Sequence, residues 1–200
     1  MPDMAMSPAA SSEGPPPESA ITIAAMSASS PGAMRFATAA FPTGVVLIAA
    51  QVDGVPVGML VNSFTSVSLD PPLVSVNVAR GSGTWPLLRQ AKRWGISVLG
   101  AQQDGAFRQL SRKAAERFQG VDWSAPGDGS VLLADASALF TVSLEAEVEA
   151  GDHVVILLRV LDLHRTPDRL PLVFYGSQLH RLATPGEANP DTLSTSRGLS

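Results

Sequence analysis

An antiparallel β-barrel with short helices packed against its outside is the fold this sequence predicts. Three observations lead there. Short apolar stretches, β-branched or alternating, recur along the chain, as at 45–50, 73–78 and 139–149. Turn formers separate neighbouring stretches, as at Asp53-Gly54, Gly151-Asp152 and Gly176-Ser177, so hairpins are the expected connection. No regular strand–helix alternation appears that would build a parallel sheet. The expected content is about eight or nine strands and about three short helices.

Composition limits the function. The 200 residues are 45 % hydrophobic, enough for a real core. We expect a disordered tail over 1–30, one domain over 31–183, and a second disordered tail over 184–200. Net charge is −4, which disfavours a nucleic-acid partner. The absence of cysteine excludes disulfides, thiolate metal sites and a cysteine nucleophile. His153, His164 and His180 lack the spacing of a helical metal pair, so no metal is expected.

Residues 1–30 are rich in Met, Ala, Ser and Pro, including Pro15-Pro16-Pro17. The first basic residue is Arg35, so a secretory leader is not expected. The apolar patch at 21–26 is far below membrane-spanning length. Met26 and Met34 offer alternative starts. The expected setting is cytoplasmic, with no membrane partner.

A short helix is expected over 34–40, stopped by Pro42. Val45 to Ala50 reads as a buried strand, Asp53-Gly54 as its turn, and 55–64 as the returning strand, with Pro56 marking an edge. Alternation from Val74 gives a strand over 73–78. Thr84 can cap a helix over 85–91, with Pro86 in its first turn. Residues 94–99 form a strand, 103–113 an amphipathic helix, and 116–129 a loop pinned by Phe118 and Trp123. A short strand follows at 131–134. Over 139–149, Phe140, Val142, Leu144, Ala146 and Val148 face one way, and Glu145, Glu147 and Glu149 form a solvated face. Residues 154–163 return antiparallel to it. A last pair, 172–175 and 178–182, closes the domain.

The stretch with most chemistry runs Gly58-Met59-Leu60-Val61-Asn62-Ser63-Phe64-Thr65-Ser66-Val67-Ser68-Leu69-Asp70-Pro71-Pro72-Leu73. Short polar side chains cluster at a strand end, and a bend is expected between Ser66 and Ser68. Such a surface suits a polar, planar or phosphorylated ligand. Arg80-Gly81-Ser82-Gly83-Thr84 is a candidate anion cradle, though it has neither Walker nor dinucleotide-binding spacing. Gly95-Ile96-Ser97-Val98-Leu99 misses the nucleophile-elbow spacing, which argues against a serine hydrolase.

With Phe41-Pro42-Thr43-Gly44-Val45, the run 58–73, Gly151-Asp152-His153 and Pro171-Leu172-Val173-Phe174-Tyr175 in order, the chain resembles the flavin reductase-like family of FMN-binding split barrels. The resemblance covers about residues 34–182. It implies a six-stranded barrel core, a homodimer with flavin near the subunit interface, and NAD(P)H:flavin oxidoreduction. NADH or NADPH would reduce FMN or FAD for a partner monooxygenase. It implies that Leu60, Val61, Asn62, Ser63, Phe64, Ser66, Val67 and Ser68 lie along the flavin ring and ribityl chain. Arg80, Ser82, Gly83 and Thr84 would hold the phosphate, Arg112 or Lys113 would add charge, and His153 would orient the nicotinamide. Leu60-Val61 stands where Thr-Ala is common, and Leu179 where an aromatic is frequent. These departures motivate an alternative: a flavin-binding barrel with little reductase activity, serving as carrier, sensor or accessory subunit.

Overall fold

The structure, a computed structural model, describes residues 30–183. The expected tails fall outside them, apart from Ser30. The first helix, α1 (Pro31–Thr38), begins earlier than apolar spacing alone suggested. Ser30 caps it, accepting from the Ala33 amide at 3.4 Å, and Pro31 supplies a preset first helical residue. There follow β1 (Thr43–Gly44), β2 (Val46–Val52), β3 (Val55–Val61), β4 (Thr65–Leu69), β5 (Pro72–Ala79), α2 (Trp85–Leu88), β6 (Trp94–Val98) and α3 (Asp104–Leu110). A 3-10 turn at Ala114–Glu116 leads to β7 (Trp123–Ser124), β8 (Leu132–Leu133), β9 (Ala138–Ala150), β10 (His153–Arg165), β11 (Leu172–Tyr175) and β12 (Gln178–Arg181).

Seven strands form one antiparallel sheet in the order β3-β2-β6-β9-β10-β5-β4, beside a three-stranded sheet β1-β11-β12 and the pair β7-β8. The sheet's seven strands exceed the expected six because the chain breaks at Asn62 and β4 turns away to pair with β5. The β2–β3 hairpin turns through Asp53 at φ 51° and Gly54 at φ 78°. Two successive positive φ values give the turn whose twist matches the strands.

β2 explains how the layers assemble. Val46, Ile48 and Ala50 face the barrel interior with Val76, Trp94, Ile96, Val142 and Ile156. Leu47 and Ala49 face an outer cluster with Leu110, Val131, Leu133 and Leu172. The strand is buried on both sides, which is why it reads as an unbroken apolar run. Gly58 lets the outer layer approach. A Cβ there would stand 2.8 Å from Ala49 Cβ and 2.9 Å from Phe118 Cζ. Phe118 and Trp123 pack against that outer cluster, as expected of pinned loop aromatics. Trp85 and Trp94 are interior anchors, and Trp94 Nε1 donates to the Leu88 carbonyl at 2.8 Å.

The expected faces of 139–149 need correction. Pairing runs Leu158↔Leu144 and then Leu157↔Ala146, leaving Glu145 as an extra residue. A bulge of this kind reverses the alternation beyond it. Glu147 therefore lies opposite the buried Ile156, while Val148 turns to solvent. Glu147 is not part of a solvated row. Its carboxylate accepts from Trp85 Nε1 at 3.3 Å and pairs with Arg89 at 3.0 Å, fastening α2 to the barrel. Among the described residues, no helix is long and apolar enough to cross a membrane.

Candidate functional site

The barrel is split where the sheet edges β3 and β4 leave it. Ser63 closes part of the split. Its hydroxyl accepts from the Asn77 amide at 2.8 Å and donates to the Asn77 carbonyl at 3.2 Å. Thr65 pairs with Ser75 in the β4–β5 ladder, so Ser63 stands where the next ladder pair would come. One hydroxyl thus does the work of a backbone amide and carbonyl.

Further along this seam, the loop after β5 meets β3. Ser82 Oγ lies 3.8 Å from Met59 Sδ. Arg117 Nη1 donates to the Gly58 carbonyl at 2.7 Å and to Thr84 Oγ1 at 3.0 Å, and Arg117 Nε donates to the Arg112 carbonyl at 3.0 Å. On the loop's other flank, the Arg80 amide donates to the Asp152 carbonyl at 3.0 Å, and His153 pairs in register with Ala79. The folding of β3, β5, β10 and segment 112–117 therefore brings Leu60, Val61, Asn62, Ser63, Arg80, Ser82, Gly83, Thr84, Lys113 and His153 to one end of the seam.

Ser66, Val67 and Ser68 follow Ser63 along β4. Ser66 pairs with Val74, three residues along β5 from Asn77, about 10 Å of strand, and six from Arg80, about 20 Å. The expected bend is present as a bulge between Ser66 and Ser68. Leu60 and Val61 turn their side chains into packing. Leu60 joins the outer cluster near Phe107, Phe174 and Leu179. Val61 and Phe64 join the interior cluster, Phe64 lying 5.5 Å from Phe140. Leu60 and Val61 can face a ligand only through backbone groups, which the free edge of β3 leaves available. The Asn62 side chain is exposed.

The phosphate-cradle expectation is modified in detail. Thr84 does not cap α2 with its side chain. Ser82 Oγ accepts from the Thr84 and Trp85 amides at 3.3 and 3.2 Å, so those two groups are engaged inside the chain. The helix itself is one turn, Trp85–Leu88, and adds little dipole. The Gly81 and Gly83 amides make no hydrogen bond among the described residues. Arg80 is paired with Glu149. Lys113 and Arg117 make no ion pair among the described residues, and Arg112 is held loosely by Glu116 at 3.9 Å. The free donors are thus two glycine amides and the Lys113 ammonium, a set suited to an anion.

His153 is half-exposed, and its Nδ1 lies 2.7 Å from Asp152 Oδ1. That hydrogen bond, reinforced by imidazole charge, holds the Asp152 carboxyl below its ordinary range. Arg117 and Asn77 were not singled out from sequence. The Arg117-Phe118 pair in an otherwise polar loop was the available signal, since Phe118 packs on Gly58 while Arg117 bonds the Gly58 carbonyl.

A cavity of about 1290 Å³ opens on another side of α3, lined by Gly105, Ala106, Gln109, Asp135 and Arg169 among others. None of the residues nominated from sequence lines it. Several of its polar groups are already engaged. Gln103 Nε2 donates to the Ala134 carbonyl at 2.8 Å, Arg169 pairs with Asp135 at 2.9 Å, and Arg181 pairs with Asp104 at 3.2 Å.

Comparison with known proteins agrees with this placement of the fold. The flavin reductase like domain matches residues 38–183. The chain is 42 % identical over 131 residues to a Rhizobium meliloti (strain 1021) protein named "Probable flavin reductase", across 65 % of this chain and 42 % of that one. It therefore spans less than half of that relative's length. It is 38 % identical over 150 residues to FMN reductase (NADH) SmoA of Agrobacterium fabrum, across 74 % of this chain and 84 % of that one. The solved structure of Streptomyces globisporus C-1027 NADH:FAD oxidoreductase SgcE6, in complex with NAD and FAD fragments, superposes with a TM-score of 0.72 at 34 % identity, over 77 % of this chain and 93 % of that one. With the domain matched from residue 38 to residue 183 on an antiparallel split barrel, the chain belongs to the flavin reductase like domain family.

Proposed function

We propose that the chain is an NAD(P)H:flavin oxidoreductase that reduces FMN or FAD and supplies the reduced flavin to a partner monooxygenase. The observation that carries this reading is the set of unengaged donors at the seam: the Gly81 and Gly83 amides, Lys113, and the exposed Asn62 beside the free edge of β3. That set fits a phosphorylated, planar ligand. When bound, flavin and nicotinamide supply the redox chemistry, a hydride passing from the dihydronicotinamide to the flavin ring and a proton from water completing the balance. The chain's own part is binding and orientation. Backbone groups from Leu60 to Phe64 face the ring edges. The Gly81 and Gly83 amides and Lys113 hold the phosphate, on a loop shaped by Arg80, Ser82 and Thr84. His153, steadied by Asp152, orients the nicotinamide carboxamide. Ser66, Val67 and Ser68, next along β4 from Ser63, lie along the ring and ribityl chain.

Relatives support the cofactor pair, since one is named an FMN reductase (NADH) and another an NADH:FAD oxidoreductase. Leu60 and Leu179 pack against the same outer apolar cluster, so both side chains have a structural role in this barrel. The reading includes a homodimer and a cytoplasmic setting, where reduced nicotinamide is available. Phe36 and Phe41, each 74 % exposed, and Leu69, 89 % exposed, support burial against a second copy. Sedimentation as a single 20.8 kDa species would contradict that part. The activity is tested by following oxidation of NADH and NADPH with and without added FMN, FAD and riboflavin. Oxidation that requires and saturates with added flavin is expected. Failure with every flavin would overturn the reading.

A further inference from the structure

We infer that Arg117 is the positioning residue of the phosphate-holding loop and sets the preference for phosphorylated flavins over riboflavin. The inference rests on the function proposed above and deepens it.

The loop between β5 and α2 is tied to β10 on one flank, where the Arg80 amide donates to the Asp152 carbonyl, and has little to hold it on the flank that faces β3. A Cβ at Gly81 or Gly83 would meet nothing within 4 Å, so neither lies packed. The Arg80 side chain points to Glu149. Ser82 Oγ accepts from the amides two and three residues ahead, its amide donates to the Ala79 carbonyl, and its hydroxyl meets only a weak acceptor on β3, the Met59 sulfur. The strong polar tie between the loop and β3 runs through Arg117 Nη1, which bonds the Gly58 carbonyl and Thr84 Oγ1 together. Thr84 is buried, 8 % exposed, so its hydroxyl oxygen needs a partner there. The third bond, from Nε to the Arg112 carbonyl, fixes the plane of the guanidinium and places Lys113 beside the same anchor. Phe118 packs on Gly58 from the next residue, which fixes the backbone that carries Arg117 beside β3. Arg117 has no carboxylate partner among the described residues, because neighbouring Glu116 turns to Arg112. Its charge stays behind the loop.

A ligand spanning the seam touches β3 at its ring and the loop at its phosphate. Arg117 sets the distance between those two places. A flavin with phosphate depends on that distance; riboflavin, which lacks phosphate, does not. Lysine keeps the charge at 117 but cannot present two N–H bonds and a third at fixed angles.

The test measures FMN and riboflavin binding by fluorescence quenching, with KM and kcat for FMN and KM for NADH, in Arg117→Lys, Arg117→Met, Thr84→Val, Thr84→Ser and the Arg117→Met/Thr84→Val pair. Loss of a charge-assisted bond should weaken FMN about tenfold or more in Arg117→Lys, Arg117→Met and Thr84→Val, and change riboflavin less than about twofold. KM for FMN should rise while kcat at saturating FMN and KM for NADH hold. Thr84→Ser should keep wild-type preference, and the double variant should be no weaker than Arg117→Met alone. Equal loss of FMN and riboflavin, a silent Thr84→Val, or losses that multiply in the double variant would overturn the inference. If Arg117→Met does not fold, Thr84→Val decides by the same criterion. Wild-type protein that binds FMN no better than riboflavin would instead overturn the phosphate-loop reading beneath it.

Discussion

Ser63 does with a side chain what the backbone does elsewhere in the sheet. It lies where β3 has ended and β4 has not begun, and its hydroxyl holds both polar groups of Asn77. Ser63→Ala should lower stability by about 1 kcal/mol, the net worth of a hydrogen bond where water replaces part of it. Denaturant unfolding measures this, and amide exchange at Asn77 should quicken in the same variant. An unchanged midpoint with unchanged exchange would remove Ser63 from the seam. His153 acts on its neighbour. Because the Asp152 carboxyl is held below its ordinary value, its contact with His153 is present above the usual carboxylate range and lost only as pH falls through the lowered value. His153→Gln should move the Asp152 midpoint upward in an NMR titration; an unmoved midpoint contradicts the pairing. Both residues stood out in the sequence, Ser63 by its place in the 58–73 run and His153 by its Gly-Asp-His turn. Their partners did not. Asn77 alternates normally along a strand, and nothing local says that the chain opposite will lack a backbone partner. Arg117 is hidden for the same reason: its role comes from a carbonyl at Gly58 and a hydroxyl at Thr84 that are distant in sequence.

Among the elements, β2, β5 and the β9–β10 hairpin were legible because alternation and turn residues are local signals. The bulge at Glu145 was not, because an extra residue in one strand is defined only against its partner. Composition favoured a continuous solvated row of glutamates, and the register put Glu147 against Trp85 instead. β8 falls within the short strand expected over 131–134, while β7, two residues in a segment read as loop, is too short to carry a period. Where β8 crosses β6, Gly95 admits it. A Cβ at Gly95 would overlap the Val131 carbonyl and stand 2.7 Å from Leu132 Cδ2. Gly95→Ala should cost about 1–3 kcal/mol or more by overpacking, read as a fall in the unfolding midpoint. Gly105→Ala, on α3 with nothing within 4 Å, should leave the midpoint unchanged or raise it. Equal effects from the two substitutions would contradict the packing assigned to β6 and β8.

At the scale of the molecule, one sheet closes on itself through a side chain, and the opening beside that closure holds the unengaged donors. Barrel architecture follows from hairpins and apolar strands, which the sequence carries in full. The seam is held by Ser63 bonding Asn77 beyond the end of the β4–β5 ladder, which no single stretch records. The account therefore stands on where flavin binds. Amide hydrogen exchange on the full chain with saturating FMN tests it most directly. Protection is expected at residues 60–64, 80–84 and 112–117, with no change at 100–103 and 166–170 beside the large cavity. Protection confined to 100–103 and 166–170 would place the ligand in that cavity and contradict the account.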